Sequence, residues 1–131
     1  MPHFKGTESE IWFDEEGPAG APLLVWVGGG GTRGRDWQRF QTPHFAGQFR
    51  NLVFDNRGIG GTRCNAPLPW PIESFARDLA ELSAGLCNGP AIFIGSSLGS
   101  AIVQQLCIDR PDLVKAAIVM GSGAWSTGWG W

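Results

Sequence analysis

Apolar residues in this chain fall in short dense runs separated by polar or glycine-rich stretches. Four runs stand out, at residues 23–27, 52–55, 91–94 and 116–120. They are rich in Leu, Val, Ile, Phe and Ala and show no polar alternation. That predicts strands buried on both faces, as in a parallel sheet. The gaps between them are long enough for helical crossovers. Residues 36–49 are a weak helix candidate, interrupted by Thr42-Pro43. Residues 72–86 are a stronger one, with Ile72, Phe75, Ala76, Leu79, Leu82 and Leu86 on one face. Residues 98–109 follow, with Leu98, Ala101, Ile102 and Leu106 at helical spacing, and Pro111 stops them.

The order strand–helix–strand, repeated, predicts an α/β fold: an open, mostly parallel sheet with helices on both faces. Residues 1–22 are polar and end in a turn, Gly17-Pro18-Ala19-Gly20-Ala21-Pro22, with a short edge strand expected at 10–14. No repeat or linker divides the chain, so residues 1–131 read as a single domain. In such a sheet, function sits in the loops at the carboxyl ends of the strands. Those loops are residues 28–35, 56–63, 95–99 and 121–131, and many of the 20 glycines fall in them. Glycine is expected where backbone turns sharply or approaches a ligand closely.

Composition narrows the function classes. With 43% hydrophobic and 17% charged residues the chain is globular. A net charge of -2 gives no electrostatic case for nucleic acid or an anionic membrane. Apolar runs of about five residues are far short of the roughly 20 that span a bilayer. The start, Met1-Pro2-His3-Phe4-Lys5, has no signal-type apolar region, so the expected location is cytoplasmic. Cys64, Cys87 and Cys107 lack a C-x-x-C spacing and suggest neither a disulfide framework nor a metal site. His3 reads as part of a disordered tail.

The strongest chemical signal is Gly95-Ser96-Ser97-Leu98-Gly99, a G-x-S-x-G placed after a strand and opening a helix. A nucleophilic serine there must sit in a strained strand-to-helix turn, with small residues two before and two after it. The helix N-terminus would supply N–H donors for an oxyanion. The structural alternative is a Gly-Ser turn in which Ser96 or Ser97 only caps the helix. The second signal, Gly28 to Trp37, reads as an oxyanion loop, a flexible glycine loop or a dinucleotide fingerprint. Gly29-x-Gly31-x-x-Gly34 fits the last of these, with Asp55 about 20 residues on. The polar surroundings of Gly34, between Arg33 and Arg35, argue against its packing on a sheet. The third signal, Asp55-Asn56-Arg57-Gly58-Ile59-Gly60-Gly61-Thr62, suggests a tight turn held by an internal ion pair.

In order and spacing these three motifs resemble the N-terminal half of the α/β-hydrolase superfamily. The D-x-R-G-x-G-x-[ST] loop is similar to that of proline iminopeptidases, esterases and cofactor-free haloperoxidases. The likeness covers roughly residues 10–122. It implies Ser97 as nucleophile, with the N–H groups of Leu98 and Gly30 as the oxyanion hole and no metal or organic cofactor. Many members have His-Gly where this chain has Gly28-Gly29, which implies a looser loop or a wider pocket. It also implies an acid and a histidine after the nucleophile. This sequence has Asp109 and Asp112 after Ser97 but no histidine; its two histidines are His3 and His44. Both aspartates fall at the amino end of the following strand, away from the elbow, the strand-to-helix turn at Gly95 to Gly99.

The resulting expectation is a serine-dependent hydrolase of an ester, thioester or small amide, acting on a small acyl substrate, with its triad incomplete in this chain. A second polypeptide carrying the C-terminal half, or self-association, is expected to cover the last strand. The helix faces carrying Leu79, Leu82, Ile102 and Leu106 are expected to lack part of their cover. Residues 122–131 would begin a cap region, with Trp125 either an aromatic wall of the substrate pocket or part of an exposed tail. The alternatives are a non-catalytic or split hydrolase-fold binding protein and a nucleotide-binding α/β domain.

Overall fold

The computed structural model describes residues 2–121. Trp125 and the rest of the expected cap start lie outside the described residues.

The central strands are β3 (Leu23–Val27), β4 (Arg50–Phe54), β6 (Ala91–Ser96) and β7 (Val114–Met120). They pair in parallel in the order β4-β3-β6-β7. Two strands precede them, β1 (His3–Lys5) and β2 (Ser9–Glu16); a two-residue β5 (Arg63–Cys64) lies between β4 and β6 in the chain. These three extend the sheet antiparallel, β2 pairing with β1, β4 and β5.

Side chains alternate across the sheet as the pleat requires. Val25, Val27, Leu52, Phe54 and Phe93 enter one core, which α3 (Ile72–Leu86) and α4 (Leu98–Asp109) cover. Leu24, Trp26, Val53 and Ile94 enter the other, with Trp37 of α1 (Gly34–Trp37). Both faces being covered explains why the strands read as unbroken apolar runs. On the second face the Trp26 and Trp37 rings lie 5.1 Å apart, and the Trp26 indole donates to Asn51 Oδ1 at 2.9 Å.

Several expectations are corrected. The strand expected at 10–14 runs Ser9–Glu16, and it is interior, because β1 forms beyond it. His3 belongs to β1, where its Nε2 lies 3.2 Å from Gly61 O, so it is not in a disordered tail. Residues 36–49 do not form one helix but two single turns, α1 and α2 (Thr42–Phe45). Pro43 sits in the first turn of α2, where its missing N–H is tolerated; inside a longer helix it would clash with the preceding turn. Leu79, Leu82, Ile102 and Leu106 are fully buried, since α3 and α4 pack on each other as well as on the sheet. β7, at the end of the strand order, is the strand left exposed, with Ile118, Val119 and Met120 at 51%, 42% and 43%.

Candidate active site

The chain leaves β6 at Ser96 and enters α4 at Leu98, so one residue, Ser97, makes the whole turn. Its backbone has φ 56° and ψ -121°. Among the described residues it is the one non-glycine with positive φ. Such a conformation is costly for a residue with a Cβ and persists only where its surroundings fix it. They do so from several sides. The Ser97 N–H donates to Met120 O at 2.9 Å, tying the turn to the end of β7. Gly95 and Gly99 admit the close approach of strand and helix: a Cβ on Gly95 would meet Gly99 O at 2.5 Å, and one on Gly99 would meet Val27 O at 2.1 Å. Both glycines are therefore steric requirements.

Ser97 occupies the N-cap position of α4, yet its side chain makes no capping hydrogen bond. Its residue is exposed at the carboxyl end of the sheet. The capping alternative thus lacks its defining contact. Leu98 is the first helical residue, so its N–H has no acceptor one turn back.

The glycine loop passes beside this turn. A Cβ on Gly29 would lie 3.1 Å from Ser97 Cβ and 3.6 Å from its Oγ. Gly30 faces open space, and a turn closes beyond it with Thr32 N–H donating to Gly29 O at 3.1 Å. The two ends of the loop are held from the next strand. Asn56 Nδ2 donates to Gly28 O at 3.1 Å, and Asp55 Oδ1 accepts from Gly34 N–H at 2.7 Å. The second oxygen of Asp55 accepts from Gly61 N–H at 2.9 Å.

Gly34 packs more tightly than its polar neighbours suggest. It is buried, and a Cβ there would meet the Phe54 backbone at 2.7 Å, because Arg33 and Arg35 point their charges outward. The dinucleotide reading still weakens. The helix that Gly34 opens is a single turn, and both oxygens of buried Asp55 are already bound to backbone N–H groups.

The expected ion pair within the Asp55 loop does not form. Arg57 turns away, buried, and its Nε donates to Asp78 Oδ2 on α3 at 2.9 Å, while its Nη2 donates to Asp78 Oδ1 at 2.9 Å and Glu8 Oε1 at 3.0 Å. Acceptance of its hydrogen bonds by Asp78, and then by Glu8, holds the guanidinium well above its ordinary pKa. Ser9 Oγ also donates to Asp78, at 2.9 Å. Asp78 was missed from sequence, although an acid beside Leu79 on an apolar helix face was a readable signal. Asn56 was missed as well, and no local pattern marks it.

Asp109 ends α4 and Asp112 lies in the turn before β7, where it pairs with Arg110 at 2.9 Å. Both are at the amino end of β7, opposite the elbow. His44 lies in α2. Among the described residues no helix is long and apolar enough to cross a membrane.

Residues 22–130 match the family described as alpha/beta hydrolase fold. BpoC of Mycobacterium tuberculosis, which carries the name of a non-heme bromoperoxidase, is 38% identical over 111 residues, covering 84% of this chain and 41% of that protein. RutD of Stutzerimonas stutzeri, which carries the name of a carbamate hydrolase, is 34% identical over 82% of this chain and 39% of its own length. The solved structure of Est816, described as an N-acyl homoserine lactone degrading enzyme, matches with a TM-score of 0.81 at 29% identity, over 90% of this chain and 44% of that one. The chain spans about two fifths of the length of the curated relatives it matches.

Proposed function

We propose a function for this chain, which belongs to the alpha/beta hydrolase fold family: serine-dependent hydrolysis of a small acyl compound, an ester, thioester or small amide, through an acyl-enzyme. The observation that carries it is the strained, exposed Ser97, whose hydroxyl is not spent on capping the helix that it opens.

In the proposed reaction Ser97 Oγ attacks the carbonyl carbon. Its proton passes to a base as the O–C bond forms, and the carbonyl oxygen takes the negative charge. The N–H groups of Leu98 and Gly30 stabilise that charge, and the tight contact of Gly29 with Ser97 supports a loop held at the right depth. Collapse expels the alcohol, thiol or amine with that proton, and water repeats the sequence on the acyl-enzyme to release the acid.

The base is proposed to be a histidine outside these 131 residues, oriented by an acid also outside them. A serine without such a partner is a weak nucleophile. His3 is engaged in β1, His44 sits in α2, and both aspartates after Ser97 are at the wrong end of the sheet. We propose that the segment supplying these groups also lies along β7, where Ile118, Val119 and Met120 are exposed.

The deciding experiment is labelling with a fluorophosphonate, read by mass on the modified peptide, in the presence of the complementing segment. Ser97→Ala is expected to abolish labelling and to lower turnover by several orders of magnitude; Ser96→Ala is expected to cost less than tenfold. Equal losses in the two variants would remove Ser97 from its role.

A further inference from the structure

One residue links the elbow to a second feature. Leu98 offers its N–H beside Ser97, and its side chain lines a cleft of about 310 Å³ whose other walls are Trp70, Pro71, Ile72 and Phe75. Leu98 thus follows Ser97 in the chain and stands in the wall of the cleft, at the carboxyl end of the sheet where α3 and α4 both begin. Every lining side chain among the described residues is apolar or aromatic. Four of the five are half-buried, with surface left for a ligand to cover.

The aromatic wall is built rather than incidental. The Trp70 and Phe75 rings meet edge to face, 6.2 Å apart at 75°. The Arg57 guanidinium lies over both, 5.6 Å from the Trp70 centroid and 5.9 Å from that of Phe75. Arg57 is itself clamped by Asp78 and Glu8. The Trp70 indole donates to Ala66 O at 2.9 Å, and Gly58, at φ 79°, leaves just enough room for the ring: a Cβ there would reach it at 2.6 Å. Cation–π contact and a locked rotamer preorganise such a wall at low entropic cost on binding. The Asp55 to Thr62 loop thereby serves the site twice, through Asp55 and Asn56 on the glycine loop and through Arg57 and Gly58 on the aromatic wall.

We propose that this cleft takes the acyl chain of the substrate, and that Trp70, Ile72 and Phe75 set its length. This rests on the serine-hydrolase reading above and adds to it a substrate class: short to medium unbranched apolar acyl groups. Four observations carry the proposal: the place of Leu98 both next to Ser97 in the chain and in the cleft wall, the absence of charge among the described lining residues, the prebuilt aromatic wall, and a volume at the lower end of the roughly 300–1,000 Å³ range of small-molecule sites. A bulky or charged acyl group would fit neither the volume nor the lining.

The test uses the purified protein with its complementing segment and a series of methyl alkylphosphonofluoridates, in which the carbon chain on phosphorus grows from methyl to hexyl. Ser97 displaces fluoride from each, and the chain on phosphorus stands in for the acyl chain. The labelling rate at Ser97 is expected to rise about fourfold per methylene, the equivalent of about 0.8 kcal/mol for each buried CH₂, until the chain outgrows the cleft. Ile72→Trp, which fills the cleft from the first turn of α3, is expected to bring the hexyl-to-methyl ratio close to one. Phe75→Leu, which opens it, is expected to move the optimum to a longer chain and serves where the first variant folds poorly. Equal rates along the series, or a chain-length response untouched in both variants, would overturn the acyl cleft and leave the serine-hydrolase reading standing. A response confined to a second series with a lengthened alkoxy group would assign the cleft to the leaving group and overturn the proposal equally. No labelling of Ser97 by any member would overturn the serine-hydrolase reading itself, and the acyl assignment with it.

Discussion

Gly29 packs against Ser97 so closely that a Cβ on it would stand 3.1 Å from Ser97 Cβ and 3.3 Å from Ser96 O. Neither neighbour can give way easily, since Ser97 is held by Met120 O and by the start of α4. Gly29→Ala is therefore expected to fold, with a melting temperature lowered by a few degrees, while pushing the glycine loop outward. A displacement of that size at an oxyanion donor costs about ten- to a hundredfold in rate. Parallel measurement of thermal melting and fluorophosphonate labelling checks this; an undiminished labelling rate would mean the loop takes no part in the reaction.

Ser97 bears backbone strain that a glycine would not. Ser97→Gly is expected to stabilise the fold by about 1 kcal/mol while abolishing labelling, because glycine enters the left-handed region without a steric cost. Ser97→Ala keeps the Cβ, and so keeps the strain. Denaturant titration of the three proteins tests the difference. Identical midpoints for the glycine and alanine variants would show that the turn is relaxed.

Asp55 and Asn56 hold the two ends of the glycine loop and touch no reacting atom in the proposed mechanism. Asp55→Asn replaces an acceptor of two backbone N–H groups by a group that can accept only one of them well. The expected loss is about 2 kcal/mol of stability, with activity falling only as far as folding does. Asn56→Ala frees Gly28 O next to the elbow, and is expected to cost about 1 kcal/mol and a larger share of activity, roughly tenfold. A large rate loss in Asp55→Asn at unchanged stability would give Asp55 a direct chemical role.

Among the described residues β7 ends the strand order with apolar side chains exposed, and a strand edge of that kind pairs readily. A polypeptide of these 131 residues alone is expected to exceed 14.1 kDa by light scattering. Val119→Lys, placing a charge at the edge, is expected to shift it toward the monomer. A monodisperse monomer that labels at Ser97 unaided would refute both the edge pairing and the need for an outside histidine.

The sequence alone determined the parts of this protein governed by local chemistry. Leu23–Val27, Ile72–Leu86 and Leu98–Asp109 were legible to the residue, because apolar patterning and the stop at Pro111 act within one element. The elbow was legible for the same reason: Gly95, Ser97 and Gly99 meet across a single turn. What tertiary structure decided was every pairing between distant residues. Arg57 stands two positions from Asp55 in the chain but pairs with Asp78, 21 positions on, because α3 presents that carboxylate to a side chain pointing away from its own loop. β1 escaped notice because three residues carry no periodic signal and form a strand only when β2 offers an edge. Asn56 and Trp70 found their partners in the same way. An amide and an indole have no preferred role in a sequence; only the folded chain brings one to Gly28 O and the other to the Arg57 guanidinium.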